Sequence, residues 1–125
     1  MKVAYIFKTS MASTYQLAGM ILPQLENNSH GVEVVGMFFF DDNAFILKAN
    51  DAVGERLNKI AKEQNILIMA CDQCALRRNL AEGTFEGCGT GTVKPKGLIE
   101  LAHVGCFPQL YAALGGNPPN MVITL

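Results

Sequence analysis

The strongest constraint on the fold is a series of short apolar runs that alternate with segments of helical spacing. The runs occupy residues 3–7, 32–40, 66–70, 101–105 and 121–125. An apolar run of this length is typical of a strand whose two faces are both covered. Between the runs, as over residues 53–61, apolar side chains recur every three to four positions, which is typical of a helix with one buried face.

This alternation predicts right-handed βαβ crossovers, a mostly parallel five-stranded sheet and therefore an α/β fold. The chain has 125 residues, and 50% of them are hydrophobic, which suffices for one core. We expect a single domain over residues 1–125. Residues 81–97 contain many of the glycines and are predicted to be irregular. A loop is predicted over residues 44–47, and a short helix is predicted after Cys71, ending near residue 80.

Charge and hydropathy exclude several classes of partner. The net charge is −1, and acidic and basic residues are interspersed, so we expect no nucleic acid and no membrane surface as a partner. The first apolar run is too short for a signal peptide, and no stretch reaches the roughly 18 to 20 apolar residues of a membrane span. We therefore expect a cytoplasmic protein.

Four cysteines direct attention to one edge of the predicted sheet. They are Cys71, Cys74, Cys88 and Cys106. In a reducing compartment, cysteines are more often catalytic, redox-active or metal-binding than paired as structural disulfides. Cys71 and Cys106 follow the third and fourth apolar runs, at the carboxyl ends of parallel strands, where reactive groups and ligands gather.

Cys71 is the principal candidate because it lies where a buried strand meets a helix. Free backbone amides at the helix start, in Asp72 and Gln73, favour a thiolate, whereas the adjacent Asp72 carboxylate opposes it. A thiolate at this position can attack a persulfide or a disulfide, or carry a sulfur atom as its own persulfide. The alternative is that Cys71 is a small buried apolar residue.

Cys74 lies three residues further on, and the Cys-x-x-Cys pair has three interpretations. It is a dithiol redox pair, half of a zinc site, or one reactive cysteine with a bystander. A zinc site needs two more ligands from Cys88, His103 and Cys106, whose spacing matches no compact zinc motif. We therefore predict no metal.

The remaining candidates are two further thiols and a loop after the second strand. Cys88 lies among glycines and is a second sulfur carrier, a resolving thiol or simply an exposed cysteine. Cys106 either lines the same rim as Cys71 or is buried. Apolar loop residues need cover. We therefore predict that five residues between positions 40 and 45 form a lid over the cysteine or a subunit contact: Phe40, Asp41, Asp42, Asn43 and Phe45.

The segment ILIMACDQCALRRNL, residues 66–80, resembles the active-cysteine segment of the DsrE/DsrF and TusD sulfur-relay proteins. The segment FFFDDN, residues 38–43, is similar to the aromatic strand and Asp-containing loop of that family. The order of elements also matches over essentially the whole chain. Within the family, the chain also resembles the DsrE-related SaoD group.

The resemblance implies a three-layer α/β/α sandwich and homo-oligomers, either trimers or hexamers. It also implies transfer of persulfide sulfur between donor and acceptor proteins without a cofactor. Cys71 occupies the position of the sulfur-accepting cysteine, six residues before the Arg77–Arg78 pair. The chain departs from the family pattern at Cys74 and in the glycine-rich loop with Cys88.

Four functional hypotheses follow from the sequence. The first is a sulfur carrier or sulfurtransferase that uses Cys71, and the second is a dithiol redox protein that uses Cys71 and Cys74. The third is an oligomeric binding module with inert cysteines. The fourth is a flavodoxin-like nucleotide binder, which residues 9–14 disfavour because they contain no glycine for close phosphate approach.

Overall fold

The computed structural model describes residues 1–125 and contains seven strands and four α-helices. The strands are β1 (Lys2–Phe7), β2 (Glu33–Phe39), β3 (Leu67–Cys71), β4 (Ala81–Phe85), β5 (Gly91–Pro95), β6 (Ala102–Gly105) and β7 (Met121–Thr124). The helices are α1 (Leu22–Glu26), α2 (Ala52–Gln64), α3 (Asp72–Arg77) and α4 (Phe107–Leu114). A π-helical segment, Ser13–Ile21, leads into α1, and a 3-10 helix covers Asp41–Leu47.

Five strands form the main sheet in the order β6-β3-β2-β1-β7, and every neighbouring pair is parallel. These are the five strands that the apolar runs predict. β2 and β3 are both interior strands, which explains why their side chains are almost all buried. The prediction of a parallel five-stranded sheet is confirmed.

Side chains alternate between the two faces of the sheet because successive residues of a strand point in opposite directions. Phe39 belongs to a cluster of 24 buried residues, which we call the larger core, beneath the π-helical segment, α1 and α2. Phe38 belongs to a cluster of five buried residues on the other face, which we call the smaller core. The smaller core consists of Phe38, Met69, Cys71, Cys74 and Leu110. With helices on both faces, the predicted three-layer α/β/α architecture is confirmed.

The sequence of α2 shows why a helix forms between β2 and β3. The Asp51 carboxylate accepts hydrogen bonds from the amides of Val53 and Gly54, both at 3.0 Å, and thereby caps the helix start. Asn65 ends the helix in the left-handed region, with φ of 56°. The buried side chains of α2 lie on the stripe that faces the larger core.

The glycine-rich segment differs from its prediction as an irregular region. β4 and β5 form an antiparallel hairpin that stands apart from the main sheet. Its side chains are mostly exposed, so the alternation of buried and exposed residues that identifies a strand is missing from the sequence. Gly83, with φ of +121°, is required because a Cβ there would collide with the carbonyl oxygen of Thr92.

Two smaller predictions were also wrong. Residues 44–47 are the end of the 3-10 helix and not a loop, and the helix after Cys71 ends at Arg77, before residue 80. Ala44 and Leu47 are fully buried in the larger core, and this burial is the cover that the apolar residues of the segment require. No helix has the length and apolar character needed to cross a bilayer.

Candidate functional site

A cavity of about 560 Å³ lies beside the carboxyl ends of β2 and β3. Eight of the residues that line it are those singled out from the sequence: Phe40, Asp41, Asp42, Phe45, Cys71, Gln73, Cys74 and Cys88. The other two are Arg77 and Arg78. Three cysteines from two parts of the chain, the Cys-x-x-Cys motif and the hairpin, therefore line one cavity, at the sheet edge where parallel α/β proteins place their ligands.

Cys71 is the last residue of β3 and precedes the first residue of α3. Its side chain points to the smaller core, on the same face as Met69 and Phe38, and only 6% of the residue is exposed. The backbone amide of Cys74 lowers the pKa of the Cys71 thiol, because it favours the anion. Cys71 therefore lines the cavity at the start of α3.

The burial of Cys71 decides between the opposing effects on its protonation state that the sequence indicates. Burial raises the pKa of the Cys71 thiol from 9.0 to about 11, because an ion in an apolar setting loses its hydration. The Cys74 amide opposes this rise, while the Cys74 thiol and the Asp72 carboxylate add to it. Sequence position alone does not reveal how deeply the smaller core covers the sulfur.

Cys74 is buried in α3 and belongs with Cys71 to the smaller core. Its sulfur also lies 3.8 Å from Oδ1 of Asp41, to which the thiol donates. The backbone carbonyl of Cys74 accepts a hydrogen bond from Nη1 of Arg78 at 3.1 Å. The two cysteines of the Cys-x-x-Cys motif therefore line the same cavity and belong to the same buried cluster.

Arg78 connects the wall formed by the 3-10 helix to α3. Its Nε donates to Oδ1 of Asp42 at 2.9 Å, and its Nη2 lies 3.9 Å from Oδ1 of Asp41. Its guanidinium also lies 6.0 Å from the centre of the Phe45 ring. The sequence indicates only that an arginine favours the end of α3, because its acidic partners lie more than 30 residues away.

Asn43 was grouped with the lid residues, but it is buried and turned away from the cavity. Its side-chain oxygen accepts from the amide of Ser13 at 2.9 Å, and its Nδ2 donates to the carbonyl of Thr9 at 3.1 Å. Asn43 therefore fastens the loop that follows β1 to the segment that follows β2. It supports the rim and does not cover the site.

Cys88 and Cys106 were predicted as two free thiols, but the structure joins them in a disulfide. Cys88 is exposed between β4 and β5, and Cys106 is buried immediately before α4. Their Cα atoms lie 5.8 Å apart because the hairpin folds over the start of α4. A hydrogen bond also joins the hairpin to α4, because Nε2 of Gln109 donates to the carbonyl of Gly89 at 2.7 Å.

Asp72 and Gln73 form the start of the helix after Cys71, but their side chains have different surroundings. Only 2% of Asp72 is exposed, and its carboxylate accepts from the amides of Gly89 at 2.8 Å and Gln73 at 2.7 Å. Oδ1 of Asp72 also lies 3.4 Å from the Cys88 sulfur. Asp72 therefore anchors the hairpin tip, whereas Gln73 lines the cavity and accepts from Arg77 at 3.4 Å.

One group of residues has metal-ligand chemistry, and it is not the set considered from the sequence. The carboxylate of Asp72 and the sulfurs of Cys88 and Cys106 lie within 4.8 Å of one another. His103 lies outside this group and is exposed on β6. A disulfide offers no thiolate, so these three residues form a ligand set only after Cys88 and Cys106 are reduced.

Residues 1–104 match the model of the DsrE/DsrF-like family. The chain belongs to the DsrE/DsrF-like family. The crystal structure of the ychN protein from E.coli is similar in fold to this DsrE/DsrF-like chain, with a TM-score of 0.60 and 15% sequence identity. The similarity covers 99% of this chain and 97% of that one. No curated protein matches the sequence at a significant level.

Proposed function

We propose that this protein is a sulfur carrier in which Cys71 accepts a sulfane sulfur as a persulfide and passes it to a partner protein. The observation that carries the proposal is the position of Cys71 on a cavity shared with two other sulfur atoms. Members of the DsrE-like family generally relay sulfur, and the cavity lies at the sheet edge where such a reaction has room.

The loading step exchanges one proton and one sulfur atom. The Cys71 sulfur attacks the outer sulfur of a donor persulfide, and the sulfur–sulfur bond of the donor breaks. The donor cysteine leaves with the electron pair, and Cys71 becomes the persulfide. Cys71 starts as a thiol, so the departing donor thiolate takes up the Cys71 proton and the step is balanced in charge.

The pKa of Cys71 makes loading dependent on the donor. A thiol with a pKa of about 11 is almost entirely protonated near pH 7, and only the thiolate is a strong nucleophile. Cys71 is therefore protected from nonspecific electrophiles until a donor fills the cavity and supplies the proton acceptor. The amide of Cys74 then stabilises the transient anion.

Mass spectrometry after exposure to a persulfide donor tests this proposal. The protein should gain about 32 Da, which is one sulfur atom, and Cys71→Ser should abolish the gain. Cys74→Ala is the matched control, because it changes a neighbouring buried thiol and leaves the acceptor in place. A wild-type protein that never gains this mass, or a Cys71→Ser variant that still gains it on the same peptide, contradicts the proposal.

The partners in this proposal are a donor and an acceptor protein in the cytoplasm, and the protein itself is a homo-oligomer, a trimer or a hexamer. An apolar groove of about 420 Å³ between α4 and the main sheet supports self-association. Phe107 and Tyr111 lie on its border and are exposed in the single chain. Light scattering that gives a monomer mass at micromolar concentration would exclude the oligomer.

The position of Cys71 and Cys74 in one buried cluster and on one cavity supports a second candidate, a dithiol redox protein. Titration against a glutathione couple should then show one two-electron transition, lost on replacement of either cysteine. Persulfide loading that needs Cys71 but is unaffected by Cys74→Ala favours the carrier. Thiols that react only after unfolding would favour the inert binding module instead.

A further inference from the structure

The Cys88–Cys106 disulfide takes no part in the proposed loading of Cys71, yet Cys88 lines the same cavity. We propose that this disulfide is a sulfide-accepting site, at which a hydrosulfide ion attacks Cys88 and becomes the outer sulfur of a Cys88 persulfide. Only the subsequent transfer from Cys88 to Cys71 rests on the proposed carrier function. The ligand class is inorganic sulfide, the smallest sulfur nucleophile.

The two sulfurs of the disulfide differ in access. Cys88 is exposed at the tip of the hairpin and on the cavity wall, whereas only 7% of Cys106 is exposed. The rate of thiol–disulfide exchange depends on which sulfur the nucleophile can reach. A nucleophile that enters the cavity from solvent therefore meets Cys88 first.

The surroundings also determine which sulfur leaves as the thiolate. Cys106 is the N-cap residue of α4 and forms a capping box with Gln109, in which the Cys106 sulfur faces the backbone amide of Gln109. That amide and the helix dipole stabilise negative charge on Cys106. The Asp72 carboxylate lies 3.4 Å from the Cys88 sulfur and only within 4.8 Å of the Cys106 sulfur, and no amide is paired with Cys88 in this way, so negative charge is less favoured on Cys88. Charge is therefore favoured on Cys106, and the incoming sulfur is directed to Cys88.

The reaction balances with the disulfide as its oxidant. The hydrosulfide sulfur forms a bond to the Cys88 sulfur, the Cys88–Cys106 bond breaks, and Cys106 takes the electron pair as a thiolate. The sulfide sulfur is oxidised to the sulfane level and Cys106 is reduced. Each chain thus takes up at most one sulfur atom until an external oxidant restores the disulfide.

The Cys88 persulfide then lies on the cavity that Cys71 also lines. Cys71 attacks the outer sulfur, the persulfide bond breaks, and Cys88 leaves as a thiol after taking the Cys71 proton. By this route the chain generates a Cys71 persulfide from inorganic sulfide without a donor protein. The glycines at positions 87, 89 and 91 flank Cys88 and have positive φ, which only glycine adopts freely.

The test uses the full chain oxidised with diamide, with the disulfide verified by mass, and one equivalent of sodium sulfide. We expect a gain of about 34 Da, one sulfur and two hydrogens, relative to the disulfide form. In Cys71→Ser the persulfide should map to the Cys88 peptide, and in the wild type it should map to Cys71. Cys106→Ser, which cannot form the disulfide, should not gain sulfur.

The direction of attack provides the sharpest readout. Asp72→Asn removes the charge beside Cys88, so in the Cys71→Ser background it should shift at least several-fold more persulfide onto Cys106. Sulfur found equally on both cysteines, an oxidised protein without the disulfide, or no gain from sulfide would each overturn the inference. Loading of Cys71 by a donor persulfide is measured separately, so its success or failure tests the carrier function alone.

Discussion

The two faces of the main sheet are covered unequally, and the candidate site lies on the thinner side. One face packs the larger core of 24 buried residues beneath the π-helical segment, α1 and α2. The other face packs the smaller core of five buried residues, and two of them are Cys71 and Cys74. Stabilisation by burial scales with apolar area, so the first face supplies most of the stability. The second face retains room for a cavity and for a reactive sulfur.

The largest expected effect compares two adjacent phenylalanines of β2. Phe39→Ala should lower the free energy of unfolding by about 3–5 kcal/mol, because the void lies inside the larger core. Phe38→Ala should cost less, since Phe38 borders the open groove beside α4 and solvent can enter the space. Urea denaturation measures both. Equal losses would contradict the unequal contribution of the two faces.

Two glycine-to-alanine substitutions compare the same two faces of the sheet by adding a Cβ atom instead of removing a side chain. At Gly54 in α2 a Cβ would collide with the backbone carbonyl of Ile46, and we expect Gly54→Ala to cost about 1–3 kcal/mol. At Gly36 in β2 a Cβ would meet Cδ2 of Leu114 at 2.9 Å, and that side-chain end can rotate away. Gly36→Ala should therefore cost about 1 kcal/mol or less. The reverse order in thermal melting would show that the smaller core is the more rigid.

The raised pKa of Cys71 predicts the pH at which this thiol of the smaller core becomes reactive. The rate of alkylation by iodoacetamide should rise with a midpoint near pH 11. Cys74→Ala and Asp72→Asn should each move the midpoint to lower pH, because each removes a group that raises the pKa. A midpoint below 9 in the wild type would show that the thiol is not buried as described.

Ionisation of Cys71 also changes the stability of the folded state as the pH rises. The folded-state pKa lies above the ordinary value of 9.0, so the folded chain holds the proton more tightly than the unfolded chain. The contribution of the protonated Cys71 thiol to folding stability is complete below about pH 9 and is lost as the pH rises through about 11. Cys71→Ser should show a weaker alkaline decline in melting temperature, and an identical decline would contradict this account.

The smallest expected effect is that of the Glu26–Arg56 ion pair on the side of the larger core. The Arg56 hydrogen bond lowers the pKa of Glu26, so the pair stabilises the fold above the ordinary pKa of a glutamate and is lost as the pH falls. Both side chains are partly exposed, and Arg56→Gln should cost about 0.2–1 kcal/mol. Molar salt should remove most of the difference, whereas a loss that is insensitive to salt would indicate packing.

The main sheet could be predicted because its strands are covered on both faces and are therefore apolar throughout. The β4–β5 hairpin could not, because its side chains face solvent and its glycines resemble a loop. What makes it a hairpin is pairing between residues that are up to 14 positions apart, such as Ala81 with Pro95. That information is absent from local patterning.

For the site, the sequence identified most of the cavity lining but not its chemistry. Parallel strands bring their carboxyl ends together, so the ends of β2 and β3 indicated one location. The Cys88–Cys106 disulfide depends on how the hairpin lies over α4, and the raised pKa of Cys71 depends on burial in the smaller core. Both are properties of packing between distant segments, which a single sequence does not specify.

The two hydrogen bonds of Asn43 have a consequence for local opening. The amide of Ser13 is held by a side chain from another segment, so exposing this amide to solvent requires the segment after β2 to move as well. The loop after β1 and the 3-10 helix therefore share one opening free energy and should exchange their amide hydrogens for deuterium as a single cooperative unit. The hairpin tip at Gly89, held by Asp72 and Gln109, belongs to a separate unit with its own protection factor.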